Sequence, residues 1–459
     1  MDFKRKIYQE MLNWKKQNSR EKALVIEGMR QIGKSYIVEK FANAEYKNVY
    51  MFDFRKNIDH RNAFKGSFEL NQFKKIINTL FKVPYDDNNA VLVFDEIGDS
   101  PDARAAIKYI LKETSFDIIA TGSLLGVKGF SSRNGRSPSV GFEHFIKMFP
   151  LDFEEFLWAN GIDNDVINDI KSSLSDFHPM NDFMHTKLKD LFTSYIVVGG
   201  MPEAVIKYLE TKDFYETYLT NVDKLKEMEG DFGRILNERG EPTINNSLLV
   251  KTREVYNSLP SQLAKDNTKF QFSLIKKGAR SKEYEEAINW LIDSGMVCAC
   301  YNLTDIGSPL SMYIMKDNYK LYFTDTGLLF AKIGFQAIAT LIKNSLAQAG
   351  GYIYENVTAD ALIKSNNTLA FSNNGASELD FIIETIEGPS ILEVKMGNRQ
   401  SKSARAVIEG KSNRHASACF KVRNANFGIG DYYYGLPHYA LSFLLDLKRD
   451  EIINYVRHK

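Results

Sequence analysis

Short, almost wholly apolar runs alternate with amphipathic stretches through the first 120 or so residues of this chain. Residues 1–20 interleave lysine and arginine with Ile7, Tyr8, Met11, Leu12 and Trp14 at helical spacing, which predicts an amphipathic lead-in helix. Residues 23–27 (ALVIE), 48–54, 90–94 and 116–121 read as strands, with helices expected over 35–42, 68–81 and 103–111. Strands that are apolar on both faces and separated by helices require crossover connections, so the first part of the chain is expected to be α/β with a mostly parallel sheet.

The alternation stops at SSRNGRSPS (131–139), which has the composition of a loop. The stretch 145–156 (FIKMFPLDFEEF) carries apolar spacing suited to packing beneath the first domain and is expected to be core. From Leu151 to about Asp231 the periodicity is helical, with GGMP (199–202) as a turn. Helical spacing continues over 243–297, where the basic KKGARSK (276–282) leads into a helix over 283–294. Strand-like YIMK (313–316) and KLYFTD (320–325) follow, the helix-then-hairpin order of a winged helix. Beyond about residue 345 one helix is mixed with strands at 368–371, 378–383 and 390–394. These shifts divide the chain into four expected units, 1–160, 161–235, 236–340 and 341–459.

Composition narrows the class. With 59 Lys and Arg against 58 Asp and Glu, the net charge of +1 excludes a wholly basic nucleic-acid packer while leaving room for a local basic face. A chain of 459 residues with 44% hydrophobic content can bury several cores. Three cysteines (Cys298, Cys300, Cys419) form no disulfide framework, and no CxxC pair suggests structural zinc. Cys298 and Cys300 lie in an apolar run and are expected as buried thiols, while His144 reads as loop or surface. No run of about 18 apolar residues is present, and the charged start MDFKRKIYQEMLNWKKQ lacks the apolar stretch of a signal peptide. The expectation is a cytoplasmic protein with no membrane partner.

Chemistry concentrates first at Gly28-Met29-Arg30-Gln31-Ile32-Gly33-Lys34-Ser35, which fits G-x-x-x-x-G-K-[ST] between a predicted strand and a predicted helix. Glycines there let backbone N–H groups close on phosphate oxygens, the helix start adds positive dipole, and Lys34 brings a point charge to the β/γ-phosphates. The Ser35 hydroxyl is a Mg²⁺ ligand in such loops. VLVFDE (91–96) ends an apolar strand in two carboxylates, of which Asp95 would hold the Mg²⁺ shell and Glu96 would orient and deprotonate water. In DIIATGS (117–123), Thr121 or Ser123 would stand near the γ-phosphate. The expected catalytic set is Lys34, Asp95 and Glu96, with ATP and Mg²⁺ as cofactors. The expected nucleotide contacts are Gly28 to Ser35 together with Tyr36 and Ser123, and the metal ligands Ser35 and Asp95.

A second candidate site lies in SELDFII (377–383) and ILEVK (391–395). Asp380 and Glu393 fall on segments that can pair as a hairpin, and strand alternation points Glu393 and Lys395 to one face. Glu355, in IYEN, can join them. This set resembles the PD-(D/E)xK nuclease superfamily, in which carboxylates hold a divalent metal and the lysine stabilises developing charge.

Taken together, GMRQIGKS, VFDEIGDSPDARAAIKYI, IIATGSLLGV, MFPLDFEEFLWANG, YIVVGGMPEAV, LYFTDTGLL, YIYEN, ELDFII and EVK resemble, in order, the prokaryotic ATPases that join an AAA-type P-loop domain to a C-terminal domain of unknown function. The resemblance implies an ATPase domain over 1–160, a helical lid over 161–235, a winged-helix-like unit over 236–340 and a restriction-nuclease-like end over 341–459. It also implies ATP binding and hydrolysis. The leading expectation built on these parts is an ATPase that couples nucleotide state to domain motion and acts on or near DNA, with a DNA or protein partner and an oligomer both open. The other reading it leaves open is a nucleotide-controlled signalling or scaffold protein that binds protein partners with a catalytically silent nuclease-like domain. Gly98 stands where the family often has Gln, removing a polar group near the nucleotide. Lys276, Lys277, Arg280 and Lys282 could meet DNA phosphates, and Arg133 and Arg136 could act as arginine fingers.

Overall fold

The computed structural model describes residues 2–66, 68–123, 141–236, 242–265, 269–343, 350–375, 377–395 and 401–457. Five strands, β1 (Ala23–Gly28), β2 (Asn48–Asp53), β3 (Ala90–Asp95), β4 (Asp117–Gly122) and β5 (Glu143–Met148), form the first sheet. Their order is β2-β3-β4-β1-β5 and every neighbouring pair is parallel. Strand alternation sends Leu24 and Ile26 to one face, with the helices Ile7–Gln17 and Lys34–Glu45. Ala23 and Val25 go to the other face, with the helices Leu70–Phe81 and Pro101–Glu113. A sheet covered on both faces accounts for the uniformly apolar strands.

The stretch 145–156 is core at Ile146, Met148, Leu151, Phe153 and Phe156, and β5 departs from that reading only at its first apolar residue. This strand pairs with β1 at the sheet edge, so its side chains alternate: Ile146 and Met148 are buried, whereas Phe145 is 47% exposed. His144 is half-buried on this strand rather than in a loop. The helix Phe153–Ala159 then begins at a capping box in which Asp152 accepts from the Glu155 backbone and the Glu155 carboxylate accepts from the Asp152 backbone.

Four longer helices follow, Asn164–Asp176, Asp182–Val198, Pro202–Thr211 and Phe214–Glu229. Gly200, in the turn before the third of these, exchanges a backbone hydrogen bond with Leu151, whose N–H donates to the Gly200 carbonyl at 2.8 Å. A Cβ at Gly200 would lie 2.0 Å from the Leu151 carbonyl oxygen, backbone that cannot swing aside. Gly200→Ala is therefore expected to lower the unfolding free energy by at least the roughly 1–3 kcal/mol of core overpacking. Equilibrium unfolding of the purified variant checks this.

The short hairpin β6 (Arg234–Leu236) and β7 (Pro242–Ile244) precedes the helices Asn246–Leu263 and Ser281–Asp293. A mixed eight-stranded sheet then runs in the order β14-β15-β13-β12-β11-β10-β8-β9. Its strands are β8 (Val297–Leu303), β9 (Ile314–Phe323), β10 (Ala370–Asn373), β11 (Glu378–Thr385), β12 (Gly388–Val394), β13 (Cys419–Arg423), β14 (Gly428–Ile429) and β15 (Tyr434–Pro437). YIMK and KLYFTD are thus one strand, and the hairpin partner of β9 is β8, which carries the buried Cys298 and Cys300. The gap between the two segments falls where β9, an edge strand, exposes Lys316 and Asp317 to solvent. β10 pairs in parallel with β8, so the sheet continues across residue 340 with no break between the third and fourth expected units. The helix Gly351–Lys364 and the terminal helix Leu441–Arg457 pack against this sheet. Among the described residues no single helix is long and apolar enough to cross a membrane.

Candidate nucleotide and carboxylate sites

The phosphate-type loop leaves the carboxyl end of β1 and enters the helix Lys34–Glu45, with Gly33 in the left-handed region at φ +88°. The Lys34 ammonium is buried and donates to the carbonyls of Gly28 at 3.0 Å and Met29 at 2.8 Å. Burial, the largest influence on it, pushes its pKa down to about 8. Ser35 donates its hydroxyl to Asp95 Oδ1 at 2.7 Å, and Thr121 donates to the same oxygen while accepting from the Glu96 N–H at 3.1 Å. β4 lies between β1 and β3, so Thr121 stands between the loop and the acidic strand end. Glu96 itself adopts φ +55°, a left-handed conformation costing a non-glycine residue roughly 1–2 kcal/mol. The hydroxyl and carboxylate pair supplies hard oxygen donors of the kind Mg²⁺ takes.

The remaining expected nucleotide residues are spread around this centre. Ile32 and Met29 are buried, the latter with its sulfur 4.0 Å from the Thr324 hydroxyl. Arg30 pairs with Asp231, and Gln31 donates to Glu227, so the loop is clasped by the end of the helix Phe214–Glu229 and the residues after it. Burial pushes the Arg30 guanidinium down to about 10, and the charges of Arg55 and Arg234 add to this. Tyr36 is exposed and donates to Asp2 at 3.3 Å, while Ser123 is buried immediately after β4. Gly98 is buried in the turn after Glu96. Arg133 and Arg136 lie outside the described residues.

Three charged residues here were not anticipated. Arg55 spans Glu96 Oε2 at 3.4 Å and Asp99 Oδ2 at 3.0 Å, and Arg234 reaches Asp99 Oδ1 at 3.3 Å. Arg55 follows β2, whose Asp53 is in register with Asp95. A cation just beyond a neighbouring strand is a usable signal only once strand order is known.

The second candidate set also converges. Asp380 on β11 accepts from the Val394 N–H at 2.8 Å and from Lys395 Nζ at 3.0 Å. Lys395 lies 2.9 Å from Glu393 Oε2, and Ser401 donates to Glu393 Oε1 at 2.6 Å. Glu393 is pushed up to about 7, first by burial and then by the charge of Asp380, while Lys395 is raised by its two carboxylates against the opposing effect of burial. Glu355 accepts from the Tyr322 hydroxyl at 3.1 Å, and burial raises its pKa with help from Asp380. The buried Lys320 sits 4.0 Å from Glu355 and also pairs with Glu378. Lys320, Tyr322 and Glu378 were absent from the sequence expectation, because the first two come from β9. Among the described residues no group of three or more His, Cys, Asp or Glu side chains is placed to hold a metal ion.

Lys276, Lys277, Arg280 and Lys282 are all exposed around the start of the helix Ser281–Asp293, with Lys276 bridged to Glu283 at 3.3 Å.

Comparison with known proteins gives two family matches along the chain. A family described as an AAA domain matches residues 20–157, and a domain of unknown function (DUF8612) matches residues 189–338. No curated protein matches the chain. Among solved structures, the chain is similar to the Walker-type ATPase of Pyrococcus abyssi at 14% identity and a TM-score of 0.42, covering 72% of this chain and 96% of that one. The ORC2 protein of Aeropyrum pernix shares 12% identity with a TM-score of 0.34 over 74% and 93% of the two chains. The RuvB Holliday junction branch migration motor of Thermotoga maritima shares 10% with a TM-score of 0.29 over 64% and 89%. Scores this low carry no argument of their own. The family match and the strand–loop–helix motif place an AAA-type P-loop domain in the N-terminal part of the chain.

Proposed function

We propose that this protein binds ATP, hydrolyses it with Mg²⁺, and couples nucleotide state to movement of its middle and C-terminal units on DNA. The observation that carries the reading is the convergence of Ser35 and Asp95 at 2.7 Å, beside Lys34 and Glu96, at the carboxyl edge of a parallel sheet. In this reading the loop N–H groups and the Lys34 ammonium hold the phosphates, Glu96 takes a proton from the attacking water, and Ser35 and Asp95 hold the metal. Mg²⁺ bound there would offset charge on the phosphate oxygens.

The clasp around the loop supports the coupling. Arg30 and Gln31 are tied to Asp231 and Glu227, so phosphates that draw Arg30 toward them would compete with Asp231 and loosen that segment. The exposed cations around the helix Ser281–Asp293 are the DNA-facing candidates. A second reading, a nucleotide-controlled protein that binds partners and cuts nothing, is favoured by Lys395, whose ammonium already occupies the space between Asp380 and Glu393.

The test is ATP turnover by the full chain with Mg²⁺, with and without duplex DNA, and Lys34→Ala as the blank. Loss of nucleotide binding and of turnover in the blank is the expected result, with DNA stimulating the wild type. Turnover that survives in Lys34→Ala would sink the ATPase assignment. A slow rate indifferent to DNA would move the weight to the second reading.

A further inference from the structure

Away from both sites, a cavity of about 20 Å³ lies where the first domain, the helix Asp182–Val198 and the C-terminal unit meet. Its polar lining includes Asp152, Tyr195, Asp360, Lys364, His438 and Ser442. Most of these groups are satisfied. Lys364 Nζ donates to Asp360 Oδ2 at 2.8 Å, Tyr195 Oη at 3.1 Å and the Leu151 carbonyl at 3.2 Å. Tyr195 donates to the Leu151 carbonyl at 3.0 Å, and Asp152 is paired with Lys6 at 2.6 Å.

Three of the lining residues each carry an unsatisfied polar atom. Asp360 Oδ1, His438 Nε2 and Ser442 Oγ are buried and have no hydrogen-bond partner among the described residues, and their side chains belong to residues only 2%, 5% and 9% exposed. An unpaired buried polar atom costs as much as a lost hydrogen bond, so three around one cavity call for an occupant. Their chemistry specifies it. Asp360 Oδ1 accepts while the group is ionised, and below about pH 7 it can carry the proton and donate. The His438 ring has its backbone hydrogen bond with Lys395, and burial drives its pKa down to about 3, so the ring is neutral and Nε2 carries a lone pair. Ser442 can give or accept. The volume suits one water-sized species with two to four polar partners.

We propose that this cavity is the seat of one small hydrogen-bond-donating guest, a water molecule or an ammonium ion, that bridges Asp360, His438 and Ser442. The guest joins the helix Gly351–Lys364 to His438, just before the terminal helix, and to Ser442 in its first turn. Through His438 it also connects the backbone of Lys395, in the second acidic cluster, to the junction at Leu151.

A high-resolution crystal structure of the full chain reads this directly. The expected result is a single density peak within about 2.6–3.2 Å of all three atoms. An empty cavity, or density that touches none of them, overturns the proposal. Thermal unfolding in ammonium chloride and in tetramethylammonium chloride, at equal ionic strength, separates the two guests. A higher midpoint in ammonium that disappears in Asp360→Asn identifies the cation, and equal midpoints identify water. Ser442→Ala is expected to lower the wild-type midpoint by about 2 °C, and a variant as stable as the wild type counts against the bridge.

Discussion

Glu96→Gln is expected to bind ATP as the wild type does and to turn it over roughly 10²–10⁴-fold more slowly, the usual worth of a general base. The substitution keeps the shape of the side chain and removes its capacity to take a proton. The surrounding geometry survives, because the Glu96 N–H is held by Thr121 Oγ1 at 3.1 Å and the turn by the backbone bond from Asp99 to the Glu96 carbonyl at 2.9 Å. Arg55, which faces the Glu96 carboxylate at 3.4 Å, loses a charge partner but keeps Asp99 at 3.0 Å. Phosphate release and nucleotide binding, measured side by side, check it. Unchanged turnover would remove Glu96 from the role of base and direct attention to another group at the strand edge.

The second large effect is on stability. Lys364→Met should destabilise the protein by about 3–5 kcal/mol at pH 8, above the Asp360 value of about 7, because the variant must either bury that carboxylate without its cation or take up a proton to neutralise it. The two side chains are 4% and 3% exposed and 2.8 Å apart, so solvent cannot substitute for the lost partner. Lys364 also donates to Tyr195 and to the Leu151 carbonyl, which lose a donor with it. Adding Asp360→Asn to Lys364→Met should recover a large part of the loss, since the uncompensated charge is gone. Denaturant midpoints of the two single variants and the double variant complete the cycle, and a double variant no more stable than Lys364→Met would contradict the argument.

The same pair carries a pH signature. Burial, opposed by Lys364 and reinforced by Asp325 and Asp152, pushes the Asp360 carboxyl up to about 7. An unfolded aspartate titrates near 3.9, so between about pH 4 and 7 the folded state holds a proton that the unfolded state has lost. The stabilisation from that proton is complete below the unfolded value and disappears as pH rises through 7. Wild-type stability should therefore fall between pH 5 and 8 more steeply than that of Asp360→Asn, and parallel profiles would refute the assignment.

Local pattern carried the first domain a long way. β1 to β4 and the helices Lys34–Glu45, Leu70–Phe81 and Pro101–Glu113 lie within a few residues of their expected places, because a strand buried on both faces must be apolar throughout and a helix covering it must be amphipathic; the five-residue helix Ile58–Asn62 was too short to show a period. β5 escaped because an edge strand alternates exposed and buried positions, and FIKM merges into the helical spacing that follows. β9 was divided in two for the related reason that Lys316 and Asp317 interrupt its apolar run on the exposed side of an edge strand. β13 to β15 are short and irregularly spaced, and periodicity gives little grip on strands of two to five residues.

The candidate sites divide along the same line. The loop Gly28 to Ser35, the acidic end of β3 and the pair Asp380 and Glu393 are local arrangements, in which chain direction and side-chain alternation already put the right groups on the right edge. Their partners depend on strand order, helix docking and the continuity of a sheet across residue 340. Only the folded chain sets Arg55 and Arg234 on Asp99, Lys320 and Tyr322 beside Glu355, and Lys364 against Asp360 and Leu151. These contacts join residues far apart in sequence, and side-chain chemistry alone does not say which distant charge will complete a buried one.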